Sequence, residues 1–400
     1  MKKVVITGIG AVTPLANNFH DSWVKVKNGI SGISRITKLD ASSLKVTMTG
    51  EVKGIDLESY LSAKEIRTLD AFVHYAVAAA LMAVEDAGLT NSKLLSSASI
   101  IIGSSRGGIS TMEKELLKLY SLRTSPYLMP STTISMASSY IAQKMGIKGN
   151  CLGISTACAS GTNAIGEAFR LIKNGYAKLV LAGGTEAPVC MLCIEGYGAS
   201  GALSKINKPY ASRPFDIKRD GFVIAEGACV VVLEEYKSAL KRNAKIYGEI
   251  VGYSNTTDAF HITKPDLKGE ITAIQLALKD AGISHRDVDY INAHATSTLI
   301  GDKIEAGAIK AIFKDYEVPV SSIKSMTGHM LAASGAFEAA CTLMSIKEGI
   351  IPPTINLDKK DPGCDINVVT KKKKADIKIA ISNSFGFGGI NAVLVLKAHC

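Results

Sequence analysis

One cysteine and two histidines have the surroundings that best suit nucleophilic chemistry. Cys158 lies in GISTACASGTNAIGEAFRLIKNG, between a small-residue, strand-like segment and a segment with helical apolar periodicity. A thiol at a helix N-terminus meets unpaired N–H groups and the positive end of the helix dipole, both of which favour the thiolate. The sequence therefore predicts a nucleophile at Cys158, with a buried structural thiol as the alternative. Cys151, which precedes this segment, is expected in the strand core.

The histidines occupy comparable positions in the second half of the chain. His294 follows an apolar segment in INAHATST, and His329 precedes a small-residue helical segment in TGHMLAASG. All three residues lie at strand-to-helix turns, so they could converge at one site, although each histidine alone is also explained as a core or surface residue. A zinc site is the rival use of such a set, but no further ligand is spaced to complete it, and we predict no metal.

The elements that must position these residues are encoded twice. ASGTNAIGEAFRLIKNG (159–175) resembles ASGAFEAACTLMSIKEG (333–349), AVEDAGL (83–89) resembles ALKDAGI (277–283), and ACVVVLEE (228–235) resembles AVLVLKA (392–398). The order is the same in both copies, which indicates duplication of one unit. Each copy contains a strand, a helix ending in Asp-Ala-Gly, a second strand, a small-residue helix and paired apolar strands. We predict α/β layers with halves at 1–245 and 246–400.

Composition narrows the class of protein. The 400 residues are 47% hydrophobic and 20% charged, which is typical of a packed globular protein. No apolar run reaches the roughly 18 residues of a membrane helix, and Gly8, Gly10 and Pro14 interrupt the apolar N-terminus, which we interpret as a strand rather than a signal peptide. A cytoplasmic protein is therefore expected. The net charge of +10, without a nucleic-acid motif, suits an acidic protein partner rather than DNA or RNA.

Cysteine and glycine patterns add three smaller expectations. Eight cysteines in this length do not form a disulfide framework, and the C-x-x-C of Cys190 and Cys193 is expected to be structural. Gly8-Ile9-Gly10 lacks the third glycine of a dinucleotide loop, so nucleotide binding is not expected. The glycines at 386, 388 and 389 in SNSFGFGGINAVLVL (382–396) permit close approach of a ligand or a gate, with a tight turn as the alternative.

Four motifs in order resemble a known family. TACASG around Cys158, NAHATST around His294, KSMTGH ending at His329 and NSFGFGG from Asn383 resemble elongating β-ketoacyl-acyl carrier protein synthases of the type II class. ASRPFDIKRDGFVIAEGA (211–228) and IPPTINLD (351–358) extend the resemblance to essentially the whole chain. It implies the thiolase fold, with five αβαβα layers from two similar halves, usually as a homodimer.

The resemblance also implies roles for residues. Cys158 would take an acyl chain from carrier-protein phosphopantetheine, and His294 and His329 would stabilise the enolate formed when malonyl-carrier protein loses CO2. Lys324 would support the histidine geometry, and the N–H groups of Cys158 and Phe387 would form the other oxyanion hole, with Phe387 as a gate. No cofactor bound by the enzyme is implied. The remaining implied residues are Thr296 and Thr298 on the pantetheine arm, Phe385, Tyr197 and Arg106 along the substrate, Lys64 and Arg67 at the carrier-protein docking surface, and Glu338 and Asn383 in structural positions.

Two departures from the family pattern leave the substrate open. Ala295 replaces a usual glycine, and Arg106, in GSSRGGIS, stands where an apolar residue usually lines the acyl pocket. A buried arginine is costly without a partner, so Arg106 pairs with an acid or a polar chain or points elsewhere. Fatty acid elongation is the first interpretation. The alternative is the catalytic subunit of a type II polyketide synthase, paired with a chain-length partner; a non-catalytic subunit is disfavoured by the presence of Cys158.

Overall fold

The computed structural model describes residues 1–119, 123–314 and 316–399. Its strands are β1 (Val4–Val12), β2 (Ile33–Arg35), β3 (Met48–Gly50), β4 (Ser99–Gly103), β5 (Cys151–Ile154), β6 (Leu179–Glu186), β7 (Gly227–Glu235), β8 (Gly248–Thr257), β9 (Tyr290–Asn292), β10 (Val320–Ser321), β11 (Ile350–Ile351), β12 (Lys373–Lys374), β13 (Ile379–Gly386) and β14 (Ile390–Lys397).

The α-helices are α1 (Phe19–Lys27), α2 (Ala63–Thr68), α3 (Ala71–Asp86), α4 (Ile109–Leu119), α5 (Leu128–Thr132), α6 (Met136–Met145), α7 (Ser160–Lys173), α8 (Met191–Ala199), α9 (Tyr236–Lys241), α10 (Leu267–Ala281), α11 (Gly301–Phe313), α12 (Lys324–Thr327) and α13 (Ala332–Glu348). Short 3-10 helices lie at Lys93–Ser97, His285–Asp287 and Pro362–Cys364. No helix in the described ranges is long and apolar enough to cross a membrane.

The main sheet repeats one strand order in each half of the chain. In each half the first strand (β1 or β8) lies antiparallel to the last (β7 or β14), which in turn lies antiparallel to β6 or β13. A parallel neighbour (β4 or β9) and a parallel outer strand (β5 or β10) follow. The predicted duplication is therefore confirmed. The boundary at residue 245 stays a prediction.

Two central helices hold the halves together. β1 and β8 pair over only three residues each, Val4–Ile6 with Gly248–Ile250, and α7 and α13 pack against strands of both halves. α3 and α6 cover the other face of the first half, and α10, with α11 beside it, covers the second. The layers therefore run αβαβα, the predicted thiolase fold.

The glycines near the N-terminus permit close packing of a helix on a strand. β1 continues through Gly8 and Gly10, although its pairing with β7 shifts register between Ile6 and Gly8. A Cβ at Gly8 or Gly10 would lie 2.2 or 2.1 Å from the backbone oxygen of Ala83 or Ala79 in α3. Only glycine allows so close an approach of helix and strand. The interpretation of this segment as a first strand is confirmed.

The two central helices cross near their N-termini, which brings the segments before them together. A Cβ at Gly161 would lie 2.2 Å from the backbone oxygen of Ala332, and one at Gly335 would lie 2.0 Å from Oγ1 of Thr162. The small residues of the duplicated Ala-Ser-Gly segments are therefore required by this crossing. Because both helices begin here, the residues preceding them meet in the middle of the molecule.

Candidate active site

The turn between β5 and α7 presents Cys158 to a cavity. Ala157 has a left-handed backbone with φ of 49°, a costly conformation for a residue with a Cβ. The hydroxyl of Ser160 holds the turn because it accepts a hydrogen bond from Thr156 N (2.9 Å) and donates to the carbonyl of Ala157 (2.6 Å). Cys158, which follows this reversal, lines the cavity, and the backbone N–H of Phe387 acts to lower the pKa of its thiol.

Both histidines reach the same cavity, which has a volume of about 390 Å³. His294 follows β9, and His329 follows Gly328 between α12 and α13. The ligand atoms of Cys158, His294 and His329 lie within 4.8 Å of one another, and the imidazole centroids are 5.4 Å apart at 84°. The structure thus brings together the three residues that the sequence predicted to converge.

Both imidazoles are held neutral. Burial lowers the pKa of His294 and of His329 well below the usual value, and the nearby positive charge of Lys324 lowers both further. Nδ1 of His329 lies 3.2 Å from the hydroxyl of Ser334, which fixes the ring while its Nε2 has no partner among the described residues. A neutral imidazole carries one N–H and can donate a hydrogen bond to a developing oxyanion.

Burial is the largest influence on the pKa of Cys158. The surrounding protein raises the pKa of this thiol to about 11, although Lys324, the N–H of Phe387 and Arg106 each act to lower it. The thiolate that the helix end was expected to favour is therefore opposed by desolvation of the anion, which is the largest of these effects on the thiol. The thiol form is the resting form, and its proton must leave when the nucleophile reacts.

A buried ion pair lies behind the histidines. Lys324 and Glu338, each almost completely buried, form an ion pair between α12 and α13. Asn383 on β13 donates a hydrogen bond to Glu305 (3.0 Å) rather than to Glu338. Lys324 is not among the described residues that line the cavity, and its charge adds to burial in lowering the pKa of both imidazoles, which makes it a positioning residue.

Glu305 is a site residue that the sequence analysis missed. Its carboxylate accepts hydrogen bonds from the backbone N–H groups of His294 (2.9 Å) and Ala295 (2.7 Å), besides that from Asn383. It therefore fixes the loop that carries the first histidine, including the position where the family usually has glycine. No local pattern marks a carboxylate on α11 as the partner of a loop ten residues earlier, so only a motif spanning NAHATSTLIGDKIE could have found it.

Glu186, at the end of β6, fixes a loop of the first half by accepting hydrogen bonds, as Glu305 does in the second half. The sequence analysis missed this residue too. It accepts hydrogen bonds from Ser105 N (2.8 Å), Arg106 N (3.0 Å) and the hydroxyl of Ser104 (2.9 Å), and a longer one from Ala332 N (3.4 Å). Glu186 thus holds the segment bearing Arg106 against the N-terminus of α13.

The remaining implied substrate residues are arranged around the cavity. Thr296, Thr298, Phe385, Phe387 and Tyr197 line it. The cavity is also lined by Ser200, Gly201, Ala202, Asp220, Gly221, Phe222, Asp258, Thr263, Lys264, Pro265, Glu270, Ala295, Leu299, Ile300, Gly301, Glu305, Leu331, Gly386, Gly389 and Asn391.

Arg106 is exposed in the single chain, and its side chain lies beside a tyrosine. Its Nε donates to the hydroxyl of Tyr197 (2.9 Å), and its guanidinium lies 5.3 Å from the centre of that ring. Tyr197 in turn contacts the rings of Phe222 and Phe387. Arg106 is therefore one residue removed from the cavity that contains Cys158.

The other residues singled out in the sequence do not line the cavity. Lys64 and Arg67 are exposed on α2. Cys190 and Cys193 are buried at the start of α8, as expected of structural thiols. Cys151 lies in β5 as predicted but is exposed in the single chain, because β5 is the outer strand of its half; its placement in the core was wrong.

The cysteine and two histidines could also hold a metal ion, since thiolate and imidazole are ligands that zinc favours. A three-residue set of this kind leaves a fourth position for solvent or substrate. The expectation that no metal binds here stays a prediction.

Known proteins resemble this chain over its whole length. Residues 1–239 match the family model described as β-ketoacyl synthase, N-terminal domain, and residues 247–358 match the C-terminal domain. A relative from Synechocystis sp. named 3-oxoacyl-[acyl-carrier-protein] synthase 2 is 46% identical, covering 100% of this chain and 98% of its own.

Solved structures of ketosynthases also resemble this chain over its whole length. The ishigamide ketosynthase/chain length factor superposes with a TM-score of 0.95 at 33% identity, covering 100% of both chains. A type II polyketide synthase acyl-carrier protein in complex with its ketosynthase bound to the hexaketide gives 0.91 at 34%, again covering 100% of both chains. With these matches across both halves, the chain belongs to the β-ketoacyl synthase family, and it is a thiolase-fold acyltransferase.

Proposed function

We propose that this chain elongates acyl chains by decarboxylative condensation between an acyl thioester and malonyl-acyl carrier protein, as in fatty acid synthesis. The observation that carries this proposal is the meeting of one thiol and two neutral imidazoles, supplied by opposite halves, within 4.8 Å at one cavity. A nucleophile alone would serve many acyl transfers. Two neutral N–H donors beside it suit a reaction in which an enolate must form without protonation.

The first step is transfer of an acyl chain to Cys158. The sulfur attacks the thioester carbonyl of the carrier protein's phosphopantetheine, the carbon–sulfur bond to pantetheine breaks, and the proton lost by Cys158 leaves with the released pantetheine thiol. The backbone N–H of Phe387, which acts to lower the pKa of the Cys158 thiol, would stabilise the tetrahedral oxyanion together with the N–H of Cys158. Sulfur suits this exchange because it is both a soft nucleophile and a good leaving group.

The second step is loss of CO2 from malonyl-carrier protein. The carbon–carbon bond to the carboxylate breaks, and its electron pair becomes an enolate whose oxygen gains negative charge. His294 and His329 each offer one N–H to this oxygen, and removing one such donor costs roughly 3–4 kcal/mol in comparable oxyanion holes. A charged imidazolium would protonate the enolate and waste it, which explains why burial and Lys324 hold both imidazole pKa values low.

The third step joins the two fragments. The enolate carbon attacks the acyl-Cys158 carbonyl, a carbon–carbon bond forms, and the carbon–sulfur bond to Cys158 breaks. The released thiolate takes up a proton from solvent, since its original proton left with the pantetheine thiol in the first step. The product is a β-ketoacyl thioester on the carrier protein, two carbons longer than the acyl substrate. These three steps need no electron acceptor and no enzyme-bound cofactor.

The carrier protein would approach from a basic surface. Thr296 and Thr298 line the cavity, their hydroxyls lie 3.2 Å apart, and they are placed to bind the pantetheine arm. Lys64 and Arg67 are exposed cations on α2, and the chain's net charge of +10 favours an acidic partner. Charge reversal at both positions should weaken carrier-protein binding and flatten its salt dependence while sparing a free pantetheine thioester.

Arg106 favours a second candidate, a ketosynthase for polyketide chains. Among the described residues Arg106 has no carboxylate ion-pair partner, and its guanidinium contacts only the neutral Tyr197 hydroxyl and ring. A cation placed so close to the cavity suits acyl chains that carry oxygen better than plain alkyl chains. The solved neighbour bound to a hexaketide is a ketosynthase of that kind.

One assay separates these candidates. Acyl-carrier proteins of increasing length, saturated or bearing a β-keto group, are mixed with the enzyme, and the acyl adduct on Cys158 is followed by intact mass. Efficient transfer of long saturated chains supports fatty acid elongation, and Arg106→Ile should then change little. Preference for keto-bearing chains, lost by about tenfold in Arg106→Ile, supports the polyketide candidate. Failure of every substrate to acylate Cys158 would overturn the proposal.

We also propose that the enzyme is a dimer formed through the β5 edge. β5 is an outer strand with exposed residues, and Leu152 on it is 50% exposed. Leu117 on α4 and Met129 on α5, at 80% and 68%, belong to helices linked to β5 through α6. An unpaired edge with apolar neighbours needs a partner. Light scattering of the chain alone should give a homodimer that Leu152→Lys weakens; a monomer that dimerises only with a ketosynthase-like subunit would favour the heterodimer.

We place the enzyme in the cytoplasm. The seven cysteines among the described residues are all free thiols, as expected in a reducing compartment. Fractionation of the native host would test this placement.

A further inference from the structure

Glu270 is a buried carboxyl group that the reaction steps above do not use. It lies in the first turn of α10, its side chain is 1% exposed, and it lines the same cavity as Cys158. Its Oε2 has no hydrogen-bond partner among the residues that the structure describes. Buried polar groups are nearly always paired, so an unpaired one that borders a substrate cavity points to a ligand.

The surroundings of Glu270 keep it uncharged. Burial raises its pKa well above the usual value, and the carboxylates of Glu305 and Asp302 on α11, Asp258 after β8 and Asp266 at the start of α10 raise it further. Asp258 accepts hydrogen bonds from Asp266 N and Asn391 Nδ2, and Asp266 accepts one from Gly269 N, but neither carboxylate is hydrogen-bonded to Glu270. A protonated carboxyl has one O–H to donate, and none of its four acidic neighbours contacts it.

The charge around Glu270 also limits what it could bind. The malonyl carboxylate and the phosphate of the carrier arm are anions, which the neighbouring carboxylates repel. An alkyl chain offers no acceptor for the O–H. The pantetheine arm between thioester and phosphate is neutral and contains amide carbonyls, which are strong acceptors.

We infer that Glu270 donates a hydrogen bond to an amide carbonyl of the carrier protein's pantetheine arm. The inference rests on the proposed function, since it assigns a contact to the arm that delivers the substrates. Thr296 and Thr298 line the same cavity, so the arm would pass between these hydroxyls and Glu270. Glu270 is then a positioning residue for the thioester, retained at a cost to the stability of the unliganded protein.

The test compares variants with thioesters that do or do not carry amides. Glu270→Gln keeps a neutral donor of the same length, Glu270→Leu removes it, and Gln275→Leu on the exposed face of α10 is the control. The rate of acylation of Cys158 is measured with one acyl group carried either on pantetheine or on a simple alkyl thiol. Thermal melting of each variant reports folding.

The expected result is selective. Glu270→Leu should lose about tenfold in acylation rate with the pantetheine thioester and nothing with the alkyl thioester. Glu270→Gln should recover most of the loss, and Gln275→Leu should match the parent. Glu270→Leu should melt no lower than the parent, because it removes an unpaired buried group; if it does not fold, Glu270→Met replaces it.

Three results would overturn the inference. They are an equal loss on both thioesters, no loss on either, and a Glu270→Gln variant as impaired as Glu270→Leu. Each of these leaves acylation of Cys158 in the parent intact, so the proposed function would survive. A parent that forms no adduct with either thioester would instead refute the proposed function.

Discussion

The turn before α7 and the turn before α13 share a backbone but differ in chemistry. Each has a non-glycine residue with left-handed φ just before the helix, Ala157 at 49° and Leu331 at 46°, followed after one residue by Ala-Ser-Gly. The intervening residue is Cys158 in one turn and Ala332 in the other. Duplication therefore preserved the geometry of the turn while the side chain it presents diverged.

The surroundings of the two turns explain that divergence. Cys158 opens onto the cavity, whereas Ala332 is fully buried and its carbonyl oxygen lies against Gly161 and Gly184. The second turn contributes instead through His329, three residues earlier. A turn that places a residue at a helix N-terminus is thus not sufficient for a nucleophile. The side chain must also face a cavity that the substrate can enter.

The largest expected effect comes from removing the sulfur. Cys158→Ala should lower the acyl-transfer rate by more than about 10⁴-fold, as loss of a nucleophile does elsewhere. Malonyl decarboxylation should remain measurable, because both histidines are intact. Adding Ala332→Cys to this variant should restore nothing, since the twin turn faces packed backbone. Intact mass after incubation with an acyl thioester measures acyl transfer in both variants, and release of CO2 measures decarboxylation. An acyl adduct on Cys151 would contradict the assignment.

The next effect concerns the ion pair behind the histidines. Lys324→Ala leaves Glu338 buried without its partner and should destabilise the protein by about 3–5 kcal/mol in urea unfolding. It also removes the charge that helps hold both imidazole pKa values down, so these should rise toward the ordinary value. Decarboxylation in the variant should then fall as the pH drops from 7 to 6, whereas the parent should keep its rate. Parallel profiles would refute this role.

Removing either imidazole should cost roughly 10²–10³-fold in malonyl decarboxylation, since each supplies one N–H to the enolate oxygen. His294→Ala and His329→Ala should both still accept an acyl group on Cys158. His329→Asn retains a side-chain N–H and serves as the matched variant, with partial recovery expected. Release of CO2 is the measurement, and a histidine whose loss leaves that rate at the parental value has another role.

The smallest effect tests the Cys158 turn itself. With a pKa of about 11, Cys158 should react with iodoacetamide about ten times faster for each pH unit between 7 and 9, because only the thiolate reacts. The Cys158→Ala variant corrects for other thiols. A rate that levels off below pH 8 would show that the helix end outweighs burial after all.

Local sequence signals were enough to predict the duplication and to identify the three reactive residues. The repeated Ala-Ser-Gly segments and Asp-Ala-Gly helix ends encode the layers, and both Gly88 and Gly282 adopt the left-handed conformation predicted for a helix C-terminus. Cys158, His294 and His329 lie beside strand and helix ends that sequence periodicity reveals. Their convergence follows once the two halves face each other.

The supporting carboxylates could not be found in this way. Glu305 and Glu186 act through hydrogen-bond partners on other elements, and Glu270 is distinguished only by its burial beside the cavity, so all three depend on packing rather than on spacing along the chain. The raised pKa of Cys158 was not foreseen for a similar reason. A helix dipole can be inferred from local sequence, whereas desolvation depends on the whole surrounding protein. Cys151 was misplaced because apolar character does not distinguish a central strand from an outer one.

The crossing of α7 and α13 limits how this protein can be re-engineered. Gly161 of the first half lies against the backbone of the second, and Gly335 of the second lies against Thr162 of the first. A chimera that takes its halves from two relatives must therefore inherit both glycines and the residues facing them, or the helix ends separate and the thiol and imidazoles lose their register. The halves are ancestral duplicates, but they can no longer be exchanged as independent modules.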